Sequence, residues 1–249
     1  MTTPLLAAIL TLTNLCGSVS VDTLGARVVS YIPSGGSEVF FLSETGTGGM
    51  PLCWPWFAWL GPTAESRRHG VARYCDFSVV ANTCHSPSNS ELTLRLESDV
   101  ETRRSFPGDF ALTVSIRLAE RLYVSMTGEN TGNSSFEVTE ALHPYFAVGD
   151  STLCQVNGVD TPHCNLVDPE SGMELSLASE GGGFRVWRPT QDCYSRQSVT
   201  ALAPDDWKKF VCVESGTFSG SDSYVLRPGE SHTLSCTILR RGLAEGGDR

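Results

Sequence analysis

The feature of this sequence that most constrains its fold is a series of short segments in which apolar and polar residues alternate. Leu92–Leu96 reads LTLRL, Ala111–Leu118 reads ALTVSIRL and Leu122–Met126 reads LYVSM. Alternation with a period of two places the apolar side chains on one face of a β-strand and the polar ones on the other. No long segment shows the period of an amphipathic helix. The pattern therefore predicts half-buried antiparallel strands.

Other segments combine β-type residues with flanking glycine, serine and proline turns, and they predict further strands. They are Ser18–Val21, Arg27–Tyr31, Val39–Leu42 and the closing run Thr233–Leu239. The sequence contains no linker, internal repeat or low-complexity tract, and its 249 residues suit one all-β domain. We predict an all-β fold in which residues 1–249 form a single large antiparallel β-sandwich.

The charge of the chain limits its partners. The formal net charge is -10, which argues against nucleic acid, because neutralising phosphates needs clustered lysine and arginine. No stretch approaches the roughly 20 apolar residues of a membrane span. The apolar start, Met1–Leu15, has no Lys or Arg before its apolar run, which weakens a signal-peptide interpretation. We expect a cytoplasmic monomer with no nucleic-acid or membrane partner.

The cysteines do not have the spacing of a metal site. There are nine, without a CxxC pair, and the Cys/His neighbours are limited to Cys84 with His85 and His163 with Cys164. Structural zinc sites usually show paired ligands at short fixed spacing. We predict no metal, and free, mostly buried thiols of the kind found in a reducing compartment.

Two segments combine unusual residue types. Gly48–Phe57 (GGMPLCWPWF) carries aromatic and proline residues that either pack in the core beside a tight turn or form a surface on which a sugar ring stacks. Arg67–Arg73 (RRHGVAR) surrounds His69 with arginines, beside a glycine that permits close backbone approach. Such a segment is either a solvated basic loop or part of a binding site.

Two further segments carry single titratable residues in apolar surroundings. His143 precedes Pro144, and because proline favours a strand end, His143 should lie where a strand opens into a loop. In the segment Phe210–Gly216 (FVCVESG), Glu214 follows the apolar residues and precedes Ser-Gly. A carboxylate beside a buried strand is costly unless it is paired or functional. Each residue, taken alone, could still be structural.

Taken in order, these blocks resemble the aldose 1-epimerase (mutarotase) family across most of the chain. The segments VWRP (Val186–Pro189) and LRPGESHTLS (Leu226–Ser235) add to the likeness, and the GGxPL…PWF block is closest to the glucose-6-phosphate 1-epimerase-like branch. The resemblance implies a large antiparallel β-sandwich that interconverts the α and β anomers of a hexose, with a sugar or sugar phosphate as its partner. It implies neither a metal nor an organic cofactor.

The resemblance also implies roles for individual residues. His143 matches the general acid of the family, Glu214 the general base, and His69 the second active-site histidine, which binds the sugar. Arg73 matches the arginine of the same block as His69, and Arg68 falls where the family has a ligand-binding polar residue. We therefore expect His143 and Glu214 to face one cleft from opposite sides, with His69 on the same wall.

The chemistry sets further expectations for that cleft. Each group must exchange protons near neutrality, which a histidine does at its ordinary pKa, whereas a glutamate needs burial or a like charge to raise its pKa. We expect the cleft to be locally positive, with Arg73 and at least one of Arg67 and Arg68 at its rim.

The sequence departs from the family pattern in two places. The hexose-phosphate branch has a phosphate-binding arginine immediately before the GGxPL block, where this chain has Thr47. The stretch from Asp150 to Trp187, which is short for the family, should contain an aspartate that binds sugar hydroxyls, and Asp160 is the nearest candidate.

The sequence favours a hexose 6-phosphate as substrate. The alternatives are a mutarotase for unphosphorylated aldoses, a carbohydrate-binding β-sandwich without catalysis, and a structural sandwich without ligand.

Overall fold

The computed structural model describes residues 8–191 and 202–243, and these residues are almost entirely β-structure. In chain order the strands are β1 (Ile9–Asn14), β2 (Gly17–Asp22), β3 (Arg27–Pro33), β4 (Leu52–Cys53), β5 (Ser78–Ser86), β6 (Asn89–Glu97), β7 (Phe110–Leu118), β8 (Leu122–Asn130), β9 (Phe136–Val138), β10 (Ala141–Leu142), β11 (Tyr145–Ala147), β12 (Gln155–Asn157), β13 (His163–Asp168), β14 (Met173–Glu180), β15 (Gly183–Trp187), β16 (Phe210–Gly216), β17 (Tyr224–Leu226) and β18 (Ser231–Gly242). The short helix α1 covers Thr102–Ser105, and 3-10 turns cover Ala72–Tyr74 and Asp206–Lys208.

The strands form antiparallel sheets, as the sequence predicts. The largest sheet has eight strands in the order β12-β13-β14-β18-β8-β7-β6-β5. A five-stranded sheet has the order β11-β16-β10-β4, with β15 also paired to β16, and β1-β2-β3 form a third sheet. Strands β10 and β16 pack against β18 of the large sheet. The all-β, antiparallel sandwich prediction is confirmed.

The alternating segments behave as their pattern requires. In β6, β7 and β8 buried residues alternate with partly exposed ones along most of each strand. The buried set includes Leu94, Val114 and Val124, which belong to one continuous core cluster. Packing of one apolar face per strand against the facing layer therefore positions the sheets.

One predicted strand has a different form. Val39–Leu42 does not form a ladder; it makes isolated bridges from Phe40 to Phe146 and from Leu42 to Gly48. The carboxylate of Glu38 accepts hydrogen bonds from the backbone N–H groups of Tyr31, Val39 and Phe40. The Tyr31 and Phe40 donors are thus bonded to a side chain, and local side-chain bonds of this kind compete with regular strand pairing.

The described residues also bear on the expectations about thiols, metal ligands and membrane-spanning segments. Eight cysteines lie in this part of the chain, all are free thiols, and five are buried: Cys53, Cys154, Cys164, Cys212 and Cys236. No cluster of three or more potential metal ligands occurs in residues 8–191 and 202–243. Within the same ranges, no helix has the length and apolarity needed to span a membrane.

Candidate active site

The site is centred on β16, whose residues are all buried. The ladder to β10 ends at the pair Leu142 and Ser215, and the ladder to β11 starts at Tyr145 and Cys212. His143 and Pro144 lie in the gap between these ladders, opposite Glu214. Proline has no N–H to donate to a ladder, so the interruption follows from the sequence. The expectation that His143 lies at a strand end is confirmed, while Glu214 lies within its strand rather than beyond it.

The gap brings His143 and Glu214 into direct contact. His143 Nε2 lies 3.2 Å from Glu214 Oε1, and the two side chains are 7% and 2% exposed. His143 and Glu214 line one cavity, as expected, but they lie side by side rather than on its opposite sides. Among the described residues, His143 Nδ1 and Glu214 Oε2 have no hydrogen-bond partner. Such unsatisfied buried polar atoms are costly in a fold, and they are characteristic of functional sites.

His143 and Glu214 line a cavity of about 310 Å³ together with the other residues of the predicted site. Arg68, His69 and Arg73 contribute to its wall, so the sequence-based grouping of these residues holds. Arg67 is not among the residues that line this cavity, and its guanidinium lies over the ring of Tyr74 at 4.9 Å. A larger cavity of about 610 Å³ has Glu137 as the one titratable residue in its described lining, so the predicted acid–base groups belong to the smaller one.

Aromatic rings surround His143. Its ring stacks with that of Tyr145, with centroids 5.2 Å apart, and lies 6.4 Å from the ring of Phe57. Trp54 and Trp56 of the same block as Phe57 are instead buried in the core. The core-packing interpretation therefore holds for the two tryptophans, and the phenylalanine that ends the block reaches the cavity.

Burial shifts the pKa of His143 and Glu214 in opposite directions. Desolvation and, to a smaller extent, the positive charge of Arg73 lower the pKa of His143 to about 3. Desolvation raises the pKa of Glu214 to about 7, against the lowering effects of Arg185, Arg68 and Arg73. The raised pKa of Glu214 is as expected, but His143 does not keep its ordinary pKa. Both shifts favour uncharged side chains in the cavity.

His69 is held by strained backbone. Its φ is +67° and that of Ala58 is +53°, a region that residues other than glycine rarely occupy. The His69 N–H donates to the Ala58 carbonyl at 2.7 Å, and the Ala58 N–H donates to His69 Nδ1 at 3.2 Å. Burial lowers the pKa of His69 to about 2. The imidazole is therefore neutral, and because Nδ1 accepts a hydrogen bond, Nε2 carries the proton.

Arg73 is anchored by two hydrogen bonds to strand β4. Its Nε donates to the Leu52 carbonyl at 3.0 Å, and Nη2 donates to the thiol sulfur of Cys53 at 3.1 Å. Cys53 is buried, and desolvation raises its pKa to about 12, so it is a thiol rather than a thiolate. These bonds fix the Arg73 side chain and leave Nη1 for a ligand.

One sequence-based expectation about this region, that Asp160 contacts the sugar, is not met. Asp160 lies exposed in the turn between β12 and β13 and is not among the residues that line the cavity. From the stretch between Asp150 and Trp187, the cavity is lined instead by Arg185 and Trp187. The pairing of β15 with β16 sets Arg185 opposite Glu214. Sequence analysis missed Arg185 because this pairing is not visible in the sequence.

A second arginine that sequence analysis missed lies beside Thr47. Arg27 donates from Nη1 to the Gly46 carbonyl at 2.6 Å and pairs with Asp22 at 3.3 Å. Arg27 and Thr47 line a cavity of about 270 Å³ that shares Arg73 and Tyr145 with the site. Its carboxylate partner makes Arg27 a weaker anion ligand than an unpaired arginine would be.

Comparison with known proteins adds to this geometry. Residues 8–164, more than half of the chain, match the family model described as aldose 1-epimerase. A protein of Escherichia coli (strain K12) named putative glucose-6-phosphate 1-epimerase is 33% identical over 186 residues, which are 68% of this chain and 59% of the relative. A protein of the same name from Cenchrus ciliaris is 27% identical over 59% of this chain and 48% of the relative. The matched part of the chain thus spans less than two thirds of these curated relatives.

Solved structures share the fold. A putative mutarotase from Salmonella typhimurium superimposes with a TM-score of 0.84 at 22% identity, covering 95% of this chain and 91% of that one. A galactose mutarotase-like protein from Lactobacillus casei superimposes with a TM-score of 0.73 at 15% identity, covering 94% of this chain and 100% of that one.

Proposed function

Because the chain belongs to the aldose 1-epimerase family, we propose that it is a mutarotase that interconverts the α and β anomers of a hexose 6-phosphate. The observation that carries this proposal is the buried contact between His143 and Glu214 in a cavity lined by three arginines. The names of the curated relatives support the phosphorylated substrate.

Ring opening needs two proton transfers, one at each of the two oxygens that are bonded to the anomeric carbon C1. The proton of the anomeric hydroxyl O1 is removed, the ring oxygen O5 is protonated, and the C1–O5 bond breaks to give an aldehyde. Rotation about C1–C2 and the reverse transfers close the ring with either configuration. We assign the transfer at O1 to Glu214 and the transfer at O5 to His143, with His69 donating a hydrogen bond to the sugar from Nε2.

Side-by-side placement of the two groups suits this chemistry. O1 and O5 are bonded to the same carbon, so they lie closer together than two hydrogen-bonded atoms. Two groups 3.2 Å apart can therefore contact both oxygens at once. Without substrate, His143 Nε2 and Glu214 Oε1 are paired with each other. With substrate, each of these two atoms exchanges that contact for a hydrogen bond to a sugar oxygen.

The active form of the pair carries one proton. Glu214 ionised with His143 protonated can open the ring, and this leaves Glu214 protonated with His143 neutral, the form that can close it. Burial favours the uncharged form in the free protein, and the proton can pass between the forms across the direct contact. Each positioned transfer contributes about 10²–10⁴-fold to the rate.

The three arginines support an anionic substrate. A mutarotase needs a free hydroxyl at C1, so the anionic group has to lie on another carbon, as the phosphate of a hexose 6-phosphate does. Arg73 and Arg68 are the arginines of the predicted site that line the cavity. A guanidinium can bind phosphate through two parallel hydrogen bonds.

The test is anomer exchange measured by NMR for glucose 6-phosphate, glucose and galactose, after subtraction of the buffer-catalysed rate. We expect acceleration for all reactive sugars, with the highest kcat/KM for glucose 6-phosphate. No acceleration for any of the three would overturn the proposal, and equal kcat/KM for glucose and its phosphate would identify an ordinary aldose mutarotase.

A further inference from the structure

Arg185 lies at the cavity because of strand register. Strand β15 pairs with β16 so that Arg185 and Glu214 are direct partners, and directly opposed residues project their side chains on the same face of a sheet. The guanidinium carbon lies 5.4 Å from the ring centroid of Phe57 and 5.9 Å from that of Phe218. Stacking on rings holds the guanidinium plane while leaving its N–H groups available.

The cavity arginines differ in their partners. Arg73 donates to Leu52 and Cys53. Within residues 8–191 and 202–243, the guanidinium groups of Arg185 and Arg68 make no hydrogen bond and no ion pair with a carboxylate, and both side chains are exposed. The two arginines therefore present donors to the cavity that a ligand can take up.

The charge of the cavity decides which ligand these donors suit. Glu214 is the one carboxylate among the described lining residues, against three arginines. Burial favours the protonated form of that carboxylate and the neutral form of His143, which leaves the excess positive charge without a counter-ion. Neutral hydroxyl groups cannot compensate it, whereas a phosphate accepts charge-assisted hydrogen bonds from several guanidinium N–H groups.

We propose that Arg185, together with Arg68, binds the anionic substituent of the sugar and thereby determines the preference for a sugar phosphate over the free sugar. This inference rests on the proposed function, since the sugar has to occupy the cavity of His143 and Glu214. The position of Arg185 opposite Glu214 means that the bound phosphate also fixes the distance of the anomeric centre from the acid–base pair.

The test compares Arg185→Gln and Arg185→Lys with wild type, using glucose 6-phosphate and glucose as probes. Arg117→Gln is the matched control, because Arg117 is also a strand arginine stacked on an aromatic ring, Tyr123 at 4.2 Å, and it does not line the cavity. Calorimetric titration gives Kd for each sugar, and exchange NMR gives kcat and KM. Glutamine removes the charge, and lysine keeps the charge but loses the planar fork.

We expect Arg185→Gln to weaken binding of glucose 6-phosphate by at least about tenfold, the effect of one lost charge-assisted contact. Its Kd for glucose should stay within about twofold of wild type, with Arg185→Lys intermediate for the phosphate and Arg117→Gln unchanged for both sugars. A loss of the same factor for both sugars would reveal a structural role and would overturn the inference.

The binding and kinetic measurements separate this inference from the proposed function. Arg185-dependent binding of glucose 6-phosphate without anomer exchange would support the inference and overturn the mutarotase assignment. Anomer exchange of glucose 6-phosphate with kcat/KM and Kd unchanged in Arg185→Gln would support the mutarotase and overturn the role of Arg185.

Discussion

At the scale of single residues, the assignment of His143 and Glu214 makes a kinetic prediction. His143→Ala and Glu214→Gln should each lower kcat for glucose 6-phosphate by about 10²-fold or more, because each removes a positioned proton-transfer group. Exchange NMR at pH 6.5 measures the rate. His163→Ala and Glu120→Gln make the same changes at exposed positions and should retain wild-type rates. A wild-type rate in either site variant would refute the role assigned to that residue.

The shared proton of the pair predicts the pH dependence of the reaction. Burial raises the pKa of Glu214 to about 7 and lowers that of His143 to about 3, so in the free protein the shared proton lies mainly on Glu214. The pair therefore loses its one proton as the pH rises through about 7, so kcat/KM should decrease between pH 7 and 9. The midpoint belongs to the pair and not to either residue. A rate that rises over this interval, after buffer catalysis is subtracted, would contradict the one-proton mechanism.

The same shift predicts how Glu214 affects stability. Its pKa rises from 4.5 in the unfolded chain to about 7 in the fold, so the folded state binds the proton more tightly. The stability that Glu214 contributes is fully present below pH 4.5 and is lost as the pH rises through 7. Glu214→Gln lacks this loss, and it should be more stable than wild type by about 2–3 kcal/mol at pH 8 and nearly equal at pH 4.5.

Urea unfolding of Glu214→Gln and wild type at pH 4.5 and pH 8 measures this difference. Glu120→Gln is the control, since Glu120 is exposed in the turn between β7 and β8 and its replacement changes the net charge equally. A difference between Glu214→Gln and wild type that does not vary with pH would show that Glu214 is not desolvated in the folded protein.

At the scale of elements, the loop that carries His69 depends on one glycine. Gly70 has φ +85°, and a Cβ there would lie 2.0 Å from the Trp54 carbonyl oxygen. Gly46 has nearly the same φ, +84°, and a Cβ added there would have no atom within 4 Å. Gly70→Ala should therefore destabilise the fold by about 1–3 kcal/mol more than Gly46→Ala, since only the first adds a backbone clash to the shared conformational strain.

Thermal unfolding of Gly70→Ala and Gly46→Ala measures the two losses of stability. Their difference is the cost of the Cβ clash with Trp54, because both variants share the strain of a positive φ. If Gly70→Ala retains its fold, His69 moves with the loop, and KM for the sugar should rise. Equal losses of stability in Gly70→Ala and Gly46→Ala would mean that the loop moves away from Trp54 at no cost, and that the strained backbone does not hold His69 in place.

The elements also show what the sequence could predict. Alternation identified β6, β7 and β8 because each has one buried face, and the Pro144 break located the gap that holds His143. Arg185 could not be found in the same way. Its functional position depends on the register of β15 against β16, and register is set by packing between segments distant in sequence. Asp160 is near the expected position only in the sequence, and it is not among the residues that line the cavity.

At the scale of the whole molecule, the charge of the chain opposes the charge of the site. The formal net charge is -10, whereas the described lining of the cavity holds three arginines and one carboxylate. A dianionic sugar phosphate is repelled by the molecule at long range and attracted by the arginines at short range. Surface charges are screened beyond about 8 Å at physiological ionic strength, so the arginines near the entrance determine the final approach.

This balance predicts a strong salt response for glucose 6-phosphate and almost none for glucose. Raising NaCl from about 0.02 to 0.5 M should lower kcat/KM for glucose 6-phosphate several-fold, since salt weakens attraction to exposed arginines. Glucose is neutral, so its kcat/KM should change little and controls for effects of salt on the fold. Arg68→Gln should flatten the response to salt, because it removes one of the two exposed cavity arginines. If kcat/KM for the phosphate instead rises with salt, repulsion by the net charge dominates, and the cavity arginines do not attract the substrate.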